Sequence, residues 1–211
     1  MHYLKRISVF APACLKAKQA PNDNWSCVTP EEKSSLREAL MELQGKLCAY
    51  CEGIISDEKA CHIEHFFPKG KHPRLTFDWD NLFLSCDNKG QCGRYKDTEC
   101  SNYDPRKLIK PDRHDPDDFL FFHSNGKVMI RSAIDEEMAL RASETIRVLN
   151  LNEPGLVGRR KSAVGVYIKI TDELDGWSDE DIREYIGEEL KAIGNAEYIT
   201  TIRHFLTRCL R

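Results

Sequence analysis

The sequence predicts an α+β fold in which a small cysteine-stapled module is followed by a β-hairpin and a mainly helical C-terminal lobe. Three observations carry that expectation. Six of the nine cysteines crowd between residues 48 and 100. An Asn-Gly pair at 125–126 separates two short apolar runs. Beyond residue 135 the apolar positions recur with the helical period.

Bulk properties bound the possibilities. With 211 residues, 41% hydrophobic and 31% charged, the chain has the composition of ordinary globular proteins. It is long enough for a small module wrapped in a helical domain, and two lobes are expected. No apolar run approaches the roughly 20 residues of a membrane-spanning helix. The opening Met1-His2-Tyr3-Leu4-Lys5-Arg6 leads into too short an apolar stretch for an export signal, so the cytoplasm is the expected compartment. An odd cysteine count without such a signal points to metal binding over a disulfide framework. A formal net charge of -3 excludes a chain that coats nucleic acid by bulk charge, so such binding needs a local basic surface or a partner.

The elements follow in order. Residues 1–28 form an irregular arm. Thr29-Pro30-Glu31-Glu32 combines an N-cap, a first-turn proline and a capping-box glutamate, which predicts a helix over 30–44 that stops at Gly45. Residues 46–105 are loop-rich and carry the clustered cysteines. A Pro/Asp-rich linker around 110–116 leads to the hairpin runs Phe119–Phe122 and Lys127–Arg131. Helices are expected over 135–149, 154–174, 178–193 and 196–210, with Asn152 and Ser178 as N-cap signals. The chain thus divides into an arm and helix (1–45), a module (46–105), and a linker, hairpin and helical lobe (106–211). Plain core packing accounts for most of the lobe's apolar stripe.

Within the module, Cys48-Ala49-Tyr50-Cys51 is a Cys-x-x-Cys knuckle, and Cys86 and Cys92 form a second pair. Four thiolates suit a tetrahedral structural Zn2+, which supplies folding energy to a segment too loopy to bury its own core. The second spacing is wider than a usual knuckle, so Cys61 or Cys100 are alternative ligands.

Between the pairs lies Cys61-His62-Ile63-Glu64-His65-Phe66-Phe67-Pro68-Lys69. As a strand it would put His62 and Glu64 on one side and His65 on the other. Phosphodiester hydrolysis needs a general base to activate water and a divalent cation to neutralise developing charge. An imidazole and a hard oxygen ligand meet both needs.

With Trp79-Asp80-Asn81-Leu82 and Cys92-Gly93-Arg94-Tyr95-Lys96 following in order, residues 48–97 resemble the HNH endonucleases. The spelling of these motifs, with Asp104-Pro105 beyond, is similar to the PtuB nuclease subunits of Septu-type and retron-associated anti-phage defence systems. The resemblance implies a ββα-metal module in which Glu64 is a ligand of a catalytic Mg2+, Mn2+ or other divalent cation, and His65 is the general base. It further implies that Asn81 braces the loop that orients His65. It also implies a partner ATPase of the ABC/SMC-like type (PtuA-like), with this chain as the effector and a docking role for the helical lobe.

One position departs from the family. Where many members carry Asn or His after the last cysteine, this chain has Gly93. Asp97, one helical turn on, is the expected substitute ligand. Asp87, Asn88 and Asp104 are alternatives, and His62 completes the shell. Lys69, Lys71, Arg94 and Lys96, with Arg74 and Lys89, are candidate phosphate contacts. The expected activity is cleavage of DNA, with RNA as the other substrate class. The competing expectation is a zinc-binding interaction module that delivers nucleic acid or a partner without cutting.

Overall fold

The computed structural model describes residues 1–100, 102–172, 174 and 176–210. The arm holds two 3-10 turns, Arg6–Ser8 and Trp25–Cys27, and the short helix α1 (Ala13–Lys16). Its course is fixed by contacts with the module. The Arg6 guanidinium donates to the Leu82 carbonyl at 2.7 Å and lies over the Phe83 and Trp79 rings, pairings that reward desolvating a delocalised cation.

Helix α2 (Pro30–Gln44) has both halves of the capping box, and Gly45 ends it in the left-handed region at φ 61°. Strands β1 (Cys61–His65) and β2 (Leu82–Cys86) pair antiparallel, with Cys61 opposite Cys86 and His65 opposite Leu82. Helix α3 (Cys92–Thr98) follows and completes a ββα unit. The buried Gln44 amide donates to the Leu47 and Leu84 carbonyls and accepts from the Leu84 N–H, so α2 is stitched to β2 by side-chain bonds that replace a missing sheet neighbour.

Strands β3 (Leu120–Phe122) and β4 (Val128–Ile130) form the hairpin expected from Asn-Gly. Helices α4 (Glu136–Val148), α5 (Pro154–Asp172), α6 (Asp179–Ala192) and α7 (Ile199–Cys209) make the lobe. Asp135 and Ser178 cap α4 and α6 through their side chains. Asn152 does not cap α5; its amide bonds Val128 across to the hairpin. The last helix starts at Ile199, not Ala196, because Tyr198 takes a left-handed conformation at φ 58°. Residue 173 of the expected 154–174 helix, and residues 101, 175 and 211, lie outside the described residues. At Gly126, φ is +87° and an added Cβ would sit 2.0 Å from the Val157 carbonyl oxygen, so the hairpin turn abuts α5 with no room for a side chain.

The main apolar core runs through all three segments, joining Leu36 and Leu40 of α2, Leu82, Phe83 and Leu84 of β2, and Leu120 and Phe122 of β3. A smaller cluster, Val164, Ile186, Ile193, Ile202 and Leu206, packs α5, α6 and α7 together. Among the described residues no helix is long and apolar enough to cross a membrane.

Helix α7 docks on β3 through His204. Its Nδ1 accepts from the Phe122 N–H at 3.0 Å, which leaves Nε2–H to donate to Asp117 at 3.1 Å, while the ring stacks on Phe121. Burial opposes charge on Asp117, but the His204 hydrogen bond and the Arg203 guanidinium outweigh it and hold the carboxyl below its ordinary range. A depressed carboxylate stabilises the fold above its unfolded pKa, and that contribution is lost as pH falls through the native value. Asp117→Asn is therefore expected to flatten the fall of Tm with pH below roughly pH 4. Parallel acid limbs for wild type and variant would remove this pairing from the stability of the lobe.

Candidate metal centre and active site

The sulfurs of Cys48, Cys51, Cys86 and Cys92 all lie within 4.8 Å of one another, and Cys51 and Cys86 are 3.9 Å apart. A tetrahedral zinc with bonds of about 2.3 Å has sulfur–sulfur edges of about 3.8 Å, so the cluster fits that ion. The backbone is arranged for charged sulfur: Cys86 N–H donates to Cys48 Sγ at 3.3 Å and Gly53 N–H to Cys51 Sγ at 3.4 Å. Gln91 Nε2 lies 3.7 Å from Cys86 Sγ and 3.9 Å from Cys92 Sγ. Gln91 is itself oriented by Arg159 of α5, which donates to its Oε1 at 2.8 Å and to the Tyr198 hydroxyl at 3.1 Å.

Burial disfavours the Cys48 thiolate, but hydrogen bonds from Cys51, Cys86 and Cys92 prevail and drive its pKa well down. Cys86 is pushed up by its bonds to Cys48 and Cys51, and Cys92 by burial and the same neighbours. Four sulfurs this close carry full charge together only when a cation shares them. The alternative ligands lie elsewhere. Cys61 Sγ faces the Asp57 and Glu58 carbonyls, and Cys100 Sγ receives Arg147.

The ββα unit places the acid and imidazoles around β1. His62 Nε2 is 3.3 Å from Glu64 Oε2, so these alternate residues share a face. His65, at the strand end, turns the other way and its Nε2–H donates to the Thr76 carbonyl at 3.0 Å. That bond leaves Nδ1 with the lone pair. Burial first, and the Lys69 and Lys96 charges after it, push His65 down to about 4 against the Thr76 bond, which keeps the ring neutral at ordinary pH. Trp25 of the arm sets its ring edge-to-face against His65, with centroids 4.6 Å apart.

The buried Asn81 amide accepts from Phe67 N–H at 2.7 Å and donates to the Phe67 and Leu75 carbonyls at 3.0 Å each. It thereby closes the 66–81 loop that carries Thr76.

Lys96 is not among the exposed cations. Only 1% accessible, its ammonium contacts Glu64 Oε1 and Asp97 Oδ1 at 2.7 Å each, the Tyr103 hydroxyl at 3.1 Å and the His65 carbonyl at 3.3 Å. Burial opposes both charges of the Lys96–Glu64 pair. Their mutual attraction raises Lys96 and, with His62, lowers Glu64, so both are ionised. Asp97 is pushed up by burial and by the charge of Glu64. Among the described residues the four cysteines alone bring three or more candidate ligand atoms within 4.8 Å, so Asp97 is not gathered with His62 and Glu64. Lys69, Lys71 and Arg74 are exposed on the 66–81 loop, with Lys71 over the Tyr103 ring, and Lys89 is exposed before α3. Arg94 is exposed and pairs with Asp87.

Trp25, Thr76, Tyr103 and Gln91 belong to this site although no motif marks them. Each lies outside the recognisable strings or contributes only a backbone or packing contact. Lys96 stands in the sequence among the candidate phosphate contacts, since a lysine that pairs with a buried acid carries no distinguishing signal.

A cysteine-clamped ββα unit with His-x-Glu-His on its first strand is consistent with an HNH-type, ββα-metal module. No family model matches the chain. Septu protein PtuB of Bacillus thuringiensis is 32% identical over 122 residues, covering 57% of this chain and 42% of that relative. A protein of Vibrio cholerae serotype O1 biovar El Tor, named as a retron Vc95 HNH endonuclease, is 28% identical over 139 residues, covering 63% of this chain and 64% of the relative. The chain therefore resembles an HNH nuclease of the PtuB kind, and it spans less than two thirds of either relative's length.

Cys92→Ser removes one sulfur from the clamp. Zinc content measured by mass spectrometry should fall from about one ion per chain to near zero. A loss of about 3 kcal/mol would lower Tm by roughly 6–12 °C in a chain of this size. Unchanged zinc and unchanged Tm would show that the cluster holds no structural ion.

Proposed function

We propose that this chain is a divalent-metal-dependent HNH endonuclease that hydrolyses phosphodiester bonds, of DNA in preference to RNA, as the effector of an anti-phage defence system in the cytoplasm. The observation that carries the reading is the juxtaposition at the end of β1. Glu64 presents one carboxylate oxygen beside His62, while the next residue, His65, is fixed as a neutral imidazole on the opposite side. The names of the two relatives support the same reading.

An imidazole nitrogen and a carboxylate oxygen fit a hard divalent cation such as Mg2+ or Mn2+ that keeps part of its water shell. Held at Glu64, the cation would neutralise charge on the scissile phosphate and the departing oxygen. His65 Nδ1 takes the proton of the attacking water, and the Thr76 carbonyl steadies the imidazolium that results. Asn81 keeps that carbonyl in place through its bonds to Phe67 and Leu75. Lys96 fixes Glu64 and the His65 backbone together, and Asp97 acts on the ion's surroundings through Lys96. Lys69, Lys71 and Arg94 supply phosphate contacts around the cleft. Zinc in the four-thiolate clamp is structural. A partner ATPase of the ABC/SMC-like type docks on the helical lobe and delivers nucleic acid to a chain whose net charge of -3 recruits little of it alone.

The test is cleavage of plasmid DNA and of cellular RNA with Mg2+ and Mn2+, with and without the ATPase. Wild type should nick. His65→Ala should lose at least about 100-fold in rate with zinc content and fold unchanged. Retained cleavage in that variant would remove His65 from the mechanism. No cleavage by wild type under any of these conditions would leave a non-catalytic zinc module.

A further inference from the structure

Helix α3 meets β1 at a residue with no side chain. A Cβ built on Gly93 would lie 2.6 Å from Glu64 Oε2 and 2.9 Å from His62 Nε2, closer than carbon approaches either atom. The backbone there has no freedom to retreat. Gly93 N–H donates to Ser85 Oγ at 3.0 Å, and Cys92, immediately before it, belongs to the thiolate clamp. Glu64 is equally confined, because Lys96 holds Oε1 at 2.7 Å and only Oε2 is turned toward His62 and Gly93. A side chain at position 93 would therefore drive His62 and Glu64 apart.

We propose that in this chain the nitrogen ligand of the active-site cation is supplied by β1: His62 fills the space that a side chain of α3 would take, and Gly93 stays bare so that His62 and Glu64 close on one ion. The inference rests on the metal-dependent reading above and specifies which residues hold the ion. Its geometry is suitable. Two donors at right angles on a cation with bonds of about 2.1 Å are separated by about 3 Å, and His62 Nε2 and Glu64 Oε2 are 3.3 Å apart. Asp87 lies 3.6 Å from His62 Nδ1. His62 Nδ1 makes no hydrogen bond on that side, and Nε2 is the nitrogen that faces Glu64. Neither Asp97 nor Asp87 gathers with the pair as a third ligand among the described residues.

The experiment is a titration of the zinc-loaded full chain with Mn2+, followed by electron paramagnetic resonance and by calorimetry. Zinc content and circular dichroism report on folding. His62→Ala and Gly93→Ala should each weaken Mn2+ binding by at least about tenfold. Wild-type affinity in His62→Ala overturns the proposal. Should Gly93→Ala not fold, His62→Ala decides. Glu64→Ala separates this inference from the function it rests on. Wild-type Mn2+ binding in Glu64→Ala would sink the metal-dependent reading itself, whereas loss there with retention in His62→Ala would sink only the ligand assignment.

Discussion

Between α2 and β1 the chain runs from Lys46 to Ala60 with only an isolated bridge between Leu47 and Ile54 and one 3-10 turn. Its own backbone meets the segments that follow at two points, where Ala49 N–H donates to the Leu84 carbonyl and the Ala60 carbonyl accepts from Asp87 N–H. The four sulfurs add the link to the helix, by bringing the knuckle, the end of β2 and the first residue of α3 to one point. Like charges 4 Å apart repel by about 4 kcal/mol per pair at a surface-like dielectric, so the cluster is stable as four thiolates only around a shared cation. The helix start is consequently set by the clamp and not by its cap. Cys92 adopts φ 58°, Gln91 makes no capping bond, and the Cys92 N–H goes to the Leu149 carbonyl. The same Gln91, released from capping, turns its amide to the sulfurs. Arg159 and Tyr198 steady it from the lobe.

With α3 anchored in that way, Lys96 enters the interior beside Glu64. A buried ion pair gains little net stability, since desolvating both charges offsets most of their attraction. Losing one partner costs about 3–5 kcal/mol, because the other charge is left uncompensated. What the pair contributes here is orientation. One ammonium holds a single oxygen of Glu64 and the carbonyl of the next residue, so the acid and the imidazole are positioned by the same atom. The other carboxylate oxygen is thereby left to face His62. An exposed lysine could not do this, and the exposed cations of the 66–81 loop are correspondingly better suited to meeting phosphate.

Those parts of the molecule that rest on local rules were legible in the sequence. The α2 boundaries follow from Thr29, Pro30, Glu32 and Gly45. The hairpin follows from Asn125-Gly126, and the shared face of His62 and Glu64 from strand alternation. The gathering of Cys48, Cys51, Cys86 and Cys92 was readable because two thiol pairs suit the four positions of one tetrahedral ion. The parts set by distant chain were not legible. A buried lysine paired to Glu64 has the same letter as a surface lysine. Asp97 lies on the expected face of α3, yet Lys96, which its helical position brings inward, takes up its carboxylate. Tyr198 delays the start of the expected last helix because its conformation serves a tertiary contact, its N–H donating to the Glu52 carbonyl beside the knuckle.

That contact belongs to a wider pattern. The motif-bearing stretch supplies His62, Glu64 and His65, but their surroundings come from both sides of it. Trp25 of the arm walls His65, Arg6 reaches the Leu82 carbonyl over the Phe83 ring, Gln44 stands in for a third strand against β2, and Thr200 donates to the buried Glu52 carboxylate. A segment cut at residues 46 and 105 would keep every recognisable motif and expose the apolar face of β2 that packs into the main core. Burial is also what holds His65 neutral and Lys96 paired, since both effects weaken when water reaches the groups. The arrangement of the motif residues is therefore a property of the whole chain, and the helical lobe acts on it through packing and hydrogen bonds.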